Sequence, residues 1–336
     1  MKAWVLERIA KVEDKPLILK DIEKPEPRGR EILIRVSTCG ICRTELDEIE
    51  GRKVPKLPVV LGHEVVGFVE KVGERARRFK IGDRVGVGWI YDACGKCKFC
   101  LEGKENLCDS FLATGCDANG GYAEYMVVKE DFAYPIPDVF GDAEASPLLC
   151  AGAIGYRALK LTSMRNGQTI ALYGFGASGH LVMQMVRFLY PNSRIFVFTK
   201  KKGDEPSRLA KRLGADWVGV TGEAPPERLD CAIDTTPAGE VVKEALKNLK
   251  KGGRLVINAI RKETKITDIN YAEHLWNEKE IKSVANITRK DIEDFLNLAA
   301  RMRIKPEIKI FKFEEANEAL ISLKHGKYRG AGILKI

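Results

Sequence analysis

The feature that most constrains this chain is a glycine-rich turn between an apolar strand and a helix. Residues 169–173 form a short apolar run that leads directly into G-F-G-A-S-G, and apolar residues then recur at helical spacing. In such a turn the first glycine permits the bend, the second admits a pyrophosphate and the third lets helix and strand pack closely. The helix N-terminus adds unpaired N–H groups. The sequence therefore predicts a dinucleotide site at Gly174, Phe175, Gly176, Ala177, Ser178 and Gly179, with an ordinary glycine turn as the alternative.

The residues around this turn, 151–285, alternate between apolar strands and helical patterns. Alternation of this kind indicates an α/β domain with a doubly wound parallel sheet, covered by helices on both faces. Strands are expected at 169–173, 194–198, 217–220, 229–234 and 253–258, with helices at 179–189, 205–213 and 239–248.

The rest of the chain has a different character. Residues 1–150 are β-rich and punctuated by Gly and Pro, as in a domain of strands and turns. Their strands are expected at 32–36, 65–72, 84–87 and 123–128. In the tail, 286–336, helices are expected at 289–302 and 313–324, and strands at 308–311 and 332–336.

Length and charge narrow the classes of function. The 336 residues suffice for two domains. The 56 basic and 47 acidic residues leave a net charge of +9, but the two signs are interspersed, which favours a solvated surface over nucleic-acid binding. No apolar run reaches the ~18 residues of a membrane span, and Glu7 and Arg8 interrupt the N-terminal apolar stretch. We expect a cytoplasmic protein that binds neither nucleic acid nor membrane.

The cysteines indicate metal binding. There are nine, an odd number, and no export signal, so a disulfide framework is disfavoured. Residues 94–108 read C-G-K-C-K-F-C-L-E-G-K-E-N-L-C, and four thiolates so spaced favour a closed tetrahedral zinc site. An iron–sulfur cluster, disulfides and vacant thiols are the alternatives, although the last spacing departs from the ferredoxin pattern. The expected structural ligands are Cys94, Cys97, Cys100 and Cys108.

A second, open metal site is indicated by scattered residues. His63 and Glu64 stand in L-G-H-E-V-V-G, and Cys150 stands in L-L-C-A-G. Cys39 and Cys42 are equally good partners on spacing alone. Two thiolates and one imidazole would leave a fourth position open, which is typical of catalytic zinc. Each piece alone is a weak signal, because a lone His or an apolar Cys is more often a core residue.

Taken together, these motifs resemble the zinc-dependent medium-chain alcohol dehydrogenases over essentially the whole chain. The most specific parts are G62-H63-E64, the four-cysteine lobe and the glycine turn, supported by G-D-R-V at 82–85 and G-G-Y-A-E-Y at 120–125. The resemblance implies a GroES-like catalytic domain from 1–150 and 286–336, a Rossmann coenzyme domain from 151–285, and an active site in the cleft between them. It implies two zinc ions per subunit and a homodimer or homotetramer.

The resemblance also implies roles for single residues. Cys42 becomes the zinc ligand because a basic residue and a hydroxyl residue follow it. Thr44 would take the proton of the alcohol, with Arg43 on the cofactor pyrophosphate and Glu64 behind or on the zinc. Asp47 is a departure, since many relatives have a relay His there; a carboxylate of ordinary pKa is a poor acceptor, so the relay is expected to end at water. The substrate wall is expected to involve Ile49, Trp89 and Ile90.

The end of the second Rossmann strand bears on the choice of cofactor. An Asp or Glu ~20 residues after the glycines usually bonds the ribose 2′-hydroxyl of NAD. Here the strand 194–198 is followed by Thr199 and Lys200, and the acidic residues come only at Asp204 and Glu205. The sequence predicts a preference for NADP(H), bound through Thr199 and Lys200, with NAD(H) as the alternative.

The expected function is interconversion of alcohols with aldehydes or ketones by hydride transfer to or from a nicotinamide cofactor. The alternatives are the same fold acting on a polyol, an amino alcohol or an enone, and a non-catalytic dinucleotide-binding protein. A zinc-dependent nucleic-acid binder is a further alternative, which would show salt-dependent binding. All three candidate ligands of the open site are present, and this favours an enzyme.

Overall fold

The computed structural model describes all 336 residues, and they divide into two compact units. The first unit comprises Met1–Cys150 and Ile287–Ile336, and the second comprises Ala151–Asn286. No helix has the length and apolar character that a bilayer crossing requires.

The regular structure of the first 150 residues consists mainly of strands, as expected. The strands are β1 Lys2–Leu6, β2 Leu17–Asp21, β3 Glu31–Ile41, β4 Val59–Val60, β5 Val65–Val72, β6 Arg84–Val87, β7 Ile90–Asp92, β8 Leu112–Ala113, β9 Tyr125–Lys129 and β10 Ala133–Pro135. The helices are α1 Arg43–Ile49, α2 Lys98–Leu101 and α3 Asp142–Ala145, with single 3₁₀ turns at Val12–Asp14, Glu105–Leu107, Glu130–Phe132 and Ser146–Leu149.

The second unit alternates helices and strands. Its helices are α4 Ala151–Thr162, α5 Ala177–Leu189, α6 Glu205–Arg212 and α7 Glu240–Asn248, with one π turn at Tyr271–Leu275. Its strands are β11 Thr169–Tyr173, β12 Arg194–Thr199, β13 Trp217–Val220, β14 Leu229–Asp234, β15 Leu249–Ile257 and β16 Glu280–Ser283.

The C-terminal residues return to the first unit. They form α8 Arg289–Met302, β17 Ile308–Lys312, a 3₁₀ turn at Phe313–Glu315, α9 Ala316–Lys324 and β18 Ala331–Lys335. β18 pairs antiparallel with β3, so both ends of the chain share one sheet, in the order β10-β6-β5-β3-β18-β17 with β9 also on β3. The core of the unit lies against this sheet and includes Ile32, Val65 and Leu334.

The second unit contains one parallel sheet of six strands, in the order β13-β12-β11-β14-β15-β16. All five residues of β11 are buried, as expected for a strand covered on both faces. The strand order reverses between β11 and β14, and ligands of open α/β sheets bind beyond the carboxyl ends of the strands at such a point. The doubly wound parallel sheet that was expected for the Rossmann domain is confirmed.

In the second unit, one strand and one α-helix were missing from the sequence-based expectation. The four residues of β16 are all exposed, so this strand has no apolar run to reveal it. Helix α4 includes Gly152 and Gly155, which weaken its helical signal, yet Gly155 allows α5 to pack closely: a Cβ there would lie 2.8 Å from Val182 Cγ2.

Candidate active site

Four metal-ligating side chains converge in the first unit. They come from Cys42 at the N-cap of α1, from His63 and Glu64 in the loop before β5, and from Cys150 after a 3₁₀ turn. Their ligand atoms all lie within 4.8 Å of one another. Cys42 Sγ is 4.0 Å from Cys150 Sγ, and His63 Nε2 is 3.4 Å from Cys150 Sγ. Ligands of tetrahedral zinc, with Zn–S near 2.3 Å, are separated by about 3.5–3.8 Å, so the arrangement fits this ion.

Cys39, the alternative to Cys42, lies outside this cluster. Its thiol is fully buried. Burial is the main cause that raises the pKa of this thiol well above the ordinary value, and the negative charge of Glu45 raises it further.

Glu45 orients the imidazole and is a functional residue that the sequence analysis missed. Its Oε1 lies 2.7 Å from His63 Nδ1, which leaves Nε2 facing the thiols. Its Oε2 accepts a hydrogen bond of 2.8 Å from the Cys42 N–H. A carboxylate on the far nitrogen of a metal-binding His fixes the ring and its tautomer. The signal was in C42-R-T-E45, which has the spacing of a capping box.

Buried negative charge is concentrated at this cluster. Burial raises the pKa of Glu45 and, together with the Cys42 thiolate, that of Glu64. For His63 burial opposes protonation, yet Glu45 and Cys42 hold its pKa well above the usual value. Glu64 Oε2 is buried without a hydrogen-bond partner, and only a glycine fits beside it, because a Cβ on Gly40 would lie 2.0 Å away. A divalent metal would satisfy this donor set.

The other residues predicted for the active site differ in burial and in their contacts. Thr44 is buried, with Oγ1 3.5 Å from Cys42 Sγ, whereas Arg43 is exposed at the start of α1. Asp47 is held by an ion pair of 2.5 Å with Arg52. Among the expected wall residues, Ile49 and Ile90 are fully buried, whereas Trp89 is partly exposed and packs on Phe111 at 4.9 Å.

Glu48 is a buried carboxyl group one helical turn after Thr44, and the sequence analysis did not single it out. It is 0% exposed, and neither oxygen has a hydrogen-bond partner of normal geometry. Burial, and then the neighbouring Glu45, raise the pKa of Glu48 to about 9. The folded protein therefore retains a proton that the unfolded chain releases above the ordinary pKa of 4.5.

This proton makes stability depend on pH. Between pH 4.5 and 9 each unit of rising pH is expected to lower the free energy of unfolding by about 1.4 kcal/mol through Glu48. In Glu48→Gln this contribution disappears. The free energy of unfolding of the variant, measured with denaturant, should therefore increase relative to that of the wild type as the pH rises from 6 to 9. Glu50→Gln is the control. Burial raises the pKa of Glu50, but hydrogen bonds from Lys324 and Arg52 outweigh burial and lower this pKa to about 2. The effect of Glu50→Gln on the free energy of unfolding should therefore stay constant between pH 6 and 9. A constant Glu48→Gln difference would contradict the assignment.

The four cysteines of residues 94–108 form a second cluster within 4.8 Å of one another. Cys94 Sγ lies 3.9 Å from Cys100 Sγ, and backbone N–H groups of Lys96 and Cys97 lower the pKa of Cys94 to about 6. No side chain of α2 is buried, so apolar packing contributes little to the order of the lobe. One anchor was missed from sequence: the carboxylate of buried Glu105 accepts hydrogen bonds of 2.7 and 2.9 Å from Arg289 N and Nε.

The glycine turn has the geometry of a phosphate cradle. Gly174 has φ +84°, a conformation that side chains disfavour, and it leads from β11 to α5. A Cβ on Gly176 would meet nothing within 4 Å, so the backbone is open to a ligand there. A Cβ on Gly179 would lie 2.9 Å from Gly174 O, so this glycine allows the close packing of helix on strand. The residues therefore fit the pyrophosphate of a dinucleotide.

The end of β12 lacks a free carboxylate. Thr199 is buried, and its hydroxyl donates to Lys201 O at 3.2 Å, whereas Lys200 is exposed. Asp204 is engaged as the N-cap of α6, where it accepts hydrogen bonds from Ser207 N and Lys201 N. Glu205 pairs with Arg208.

Known proteins are similar to this chain over its whole length. Residues 28–138 match the alcohol dehydrogenase GroES-like domain. The chain is 40% identical over 342 residues to the probable alcohol dehydrogenase AdhA of Mycobacterium tuberculosis, covering 100% of this chain and 97% of that protein. It is 35% identical over 347 residues to an alcohol dehydrogenase of Geobacillus stearothermophilus, covering 100% and 99%. The structure of an alcohol dehydrogenase from the hyperthermophilic archaeon Aeropyrum pernix superimposes with a TM-score of 0.89 at 26% identity, covering 100% of both chains.

Proposed function

Because this chain belongs to the zinc-dependent alcohol dehydrogenases of the medium-chain dehydrogenase/reductase family, we propose that Cys42, His63 and Cys150 hold its catalytic zinc. The protein is an oxidoreductase that interconverts alcohols with aldehydes or ketones by hydride transfer with a nicotinamide cofactor. The observation that carries the assignment of the site is the convergence of two thiols, one imidazole and one carboxyl within 4.8 Å.

The chemistry is divided between the metal and the side chains that surround it. When bound, zinc supplies Lewis acidity, which lowers the pKa of a substrate hydroxyl. Glu45 holds His63 with Nε2 toward the cluster, and buried Glu64 places a carboxyl oxygen beside the same ligand atoms. The burial of these groups excludes water and strengthens their electrostatic interactions.

Thr44 takes the proton that the alcohol releases. Its hydroxyl is buried beside Cys42, where it can accept the substrate proton and pass on its own. The relay then continues to water, because the carboxylate of Asp47 is already paired with Arg52. Asp47 therefore contributes to the position of α1 rather than to proton transfer.

Substitution of Thr44 tests this path. Thr44→Ser keeps the hydroxyl and is expected to retain much of the activity, whereas Thr44→Val keeps the shape and should lose about 10²–10⁴-fold in kcat. Steady-state kinetics at saturating cofactor, with zinc content verified, measure the effect. Normal turnover of Thr44→Val would require another residue for the relay.

Cofactor binding is assigned to the glycine turn and its surroundings. Gly174, Gly176 and Gly179 shape the cradle for the pyrophosphate. The family resemblance assigns a pyrophosphate contact also to Arg43, whose side chain is exposed at the start of α1. Thr199 and Lys200 lie at the end of β12, where the adenosine ribose is bound in folds of this class.

NADP(H) is the proposed preference because no free carboxylate stands at that strand end. A 2′-phosphate would meet Lys200 and the hydroxyl of Thr199, whose hydrogen bond to Lys201 O would be exchanged for one to the phosphate. We expect kcat/KM for NADP(H) to exceed that for NAD(H) at least tenfold with one alcohol, about 1.4 kcal/mol. Thr199→Asp should reverse the ratio, with Thr199→Ser as the control. Equal values, or values that favour NAD(H), would refute the preference.

The four-cysteine cluster is the proposed site of a second, structural zinc. Its four sulfurs close the coordination shell, so no position remains for substrate. Two zinc ions per subunit follow from the two clusters.

A homo-oligomer is proposed from the surface of the second unit. Its edge strand β16 is exposed and carries Ile281, which is 42% exposed. Shortly before this strand in the chain, Tyr271 and Trp276 are 63% and 58% exposed. An open strand edge beside apolar side chains favours pairing with a second copy of the chain. Light scattering in solution would distinguish a dimer or tetramer from a monomer.

A further inference from the structure

A buried ion pair lies at the carboxyl edge of the parallel sheet in the second unit. Lys262 Nζ is 2.5 Å from Asp234 Oδ2, and the two side chains are 12% and 0% exposed. Lys262 also donates to Thr236 O at 2.8 Å and to Ala238 O at 3.2 Å. Three acceptors thus take the three ammonium protons, and two of them belong to one short segment.

That segment, residues 235–239, joins β14 to α7 and is tied down along its length. Asp234 Oδ1 accepts hydrogen bonds from Thr236 N at 2.8 Å and Oγ1 at 2.7 Å. On the other side, Glu263 N donates to Pro237 O and Gly239 N donates to Thr264 Oγ1, both at 2.7 Å. The ion pair is the centre of this network, since both partners contact the segment directly.

The segment borders the glycine turn. Thr235 N and Oγ1 donate to Tyr173 O, the last residue of β11, at 2.9 and 3.1 Å. A Cβ on Gly174 would lie 2.6 Å from Thr235 Oγ1, so the turn and the segment are in direct contact. β11 and β14 are also the two strands between which the strand order reverses.

We propose that Lys262 and Asp234 are positioning residues for the dinucleotide, which hold 235–239 as one wall of its site. The inference rests on the proposed dinucleotide function. The wall belongs to the β14–β16 half of the sheet, whereas the adenosine ribose and its 2′-phosphate are assigned to the end of β12. The ion pair should therefore act on NAD(H) and NADP(H) alike.

The test compares Lys262→Met with a control at a second ion pair of the same sheet. Lys250 pairs with Asp230 at 2.8 Å, at the opposite end of β14 from Asp234, and this pair is more exposed, with Lys250 at 43% and Asp230 at 20%. In fluorescence titrations, the Kd values of Lys262→Met for NADH and for NADPH should both rise at least tenfold, and by a similar factor. The kcat at saturating cofactor should change less than threefold. Lys250→Met should keep both wild-type Kd values, and Lys262→Arg, which retains the charge, should recover part of the affinity.

A second variant separates positioning from stability. Lys262→Met leaves the buried carboxylate of Asp234 without its cation, which is destabilising. The double variant Asp234→Val with Lys262→Met removes both charges, so its thermal stability should recover while both Kd values stay raised. The inference would be overturned if folded Lys262→Met had wild-type Kd values, or if affinity returned together with stability in the double variant. Neither result would affect the proposed dinucleotide site. A wild type that binds neither cofactor would overturn the proposed dinucleotide site as well.

Discussion

His63→Ala and Cys150→Ala are each expected to abolish turnover while leaving cofactor binding intact. Each removes one of three ligands that converge within 4.8 Å, and loss of the metal's Lewis acidity corresponds to several kcal/mol of transition-state stabilisation. At about 1.4 kcal/mol per decade, kcat should fall at least about a thousandfold. Fluorescence titration with NADPH should give an unchanged Kd, because the glycine turn belongs to the other unit.

The control for these variants is Cys116→Ala. Cys116 is fully buried but belongs to neither cysteine cluster, so its removal tests the loss of a buried thiol as such. It should keep its zinc and most of its activity. Full activity in Cys150→Ala with a full complement of zinc would remove this residue from the ligand set.

Cys97→Ser should damage folding more than chemistry. The lobe from 94 to 108 buries little apolar surface, so its order depends on the four sulfurs and on the anchor of Glu105 to Arg289. Structural zinc in small peptide domains binds with about 10–16 kcal/mol, all of which is folding free energy. Even a fraction of this should lower the Tm by many degrees, measured by thermal unfolding with and without added zinc.

Metal analysis distinguishes the variants of the two clusters. Wild-type protein should contain two zinc ions per subunit, whereas Cys97→Ser and His63→Ala should each contain one. His63→Ala should lose activity with little change in Tm, and Cys97→Ser the reverse. Iron in place of zinc, or one zinc in fully active protein, would contradict the two-site assignment.

Sequence alone determined the features whose causes are local. The glycine turn needs only a strand, three glycines and a helix within about twenty residues, and the structure places φ +84° at Gly174 as this motif requires. The four-cysteine lobe spans 15 residues, and its gaps of two, two and seven residues are short enough for local turns to bring the sulfurs together. The alternation of apolar strands with helical patterns likewise predicted the parallel sheet, because its central strands β11, β12 and β14 are buried on both faces and are therefore apolar.

Tertiary structure decided what depends on distant parts of the chain. Cys42 and Cys150 are 108 residues apart, and only the folded unit brings their sulfurs to 4.0 Å and leaves Cys39 outside. The role of Glu45 and the raised pKa of Glu48 both arise from burial, which residue type does not predict. The exposed strand β16 has no apolar signal because nothing in this chain covers it. Local sequence determines turns and short-range ligand sets through backbone geometry, whereas ligand choice, burial and charge pairing depend on which segments pack together.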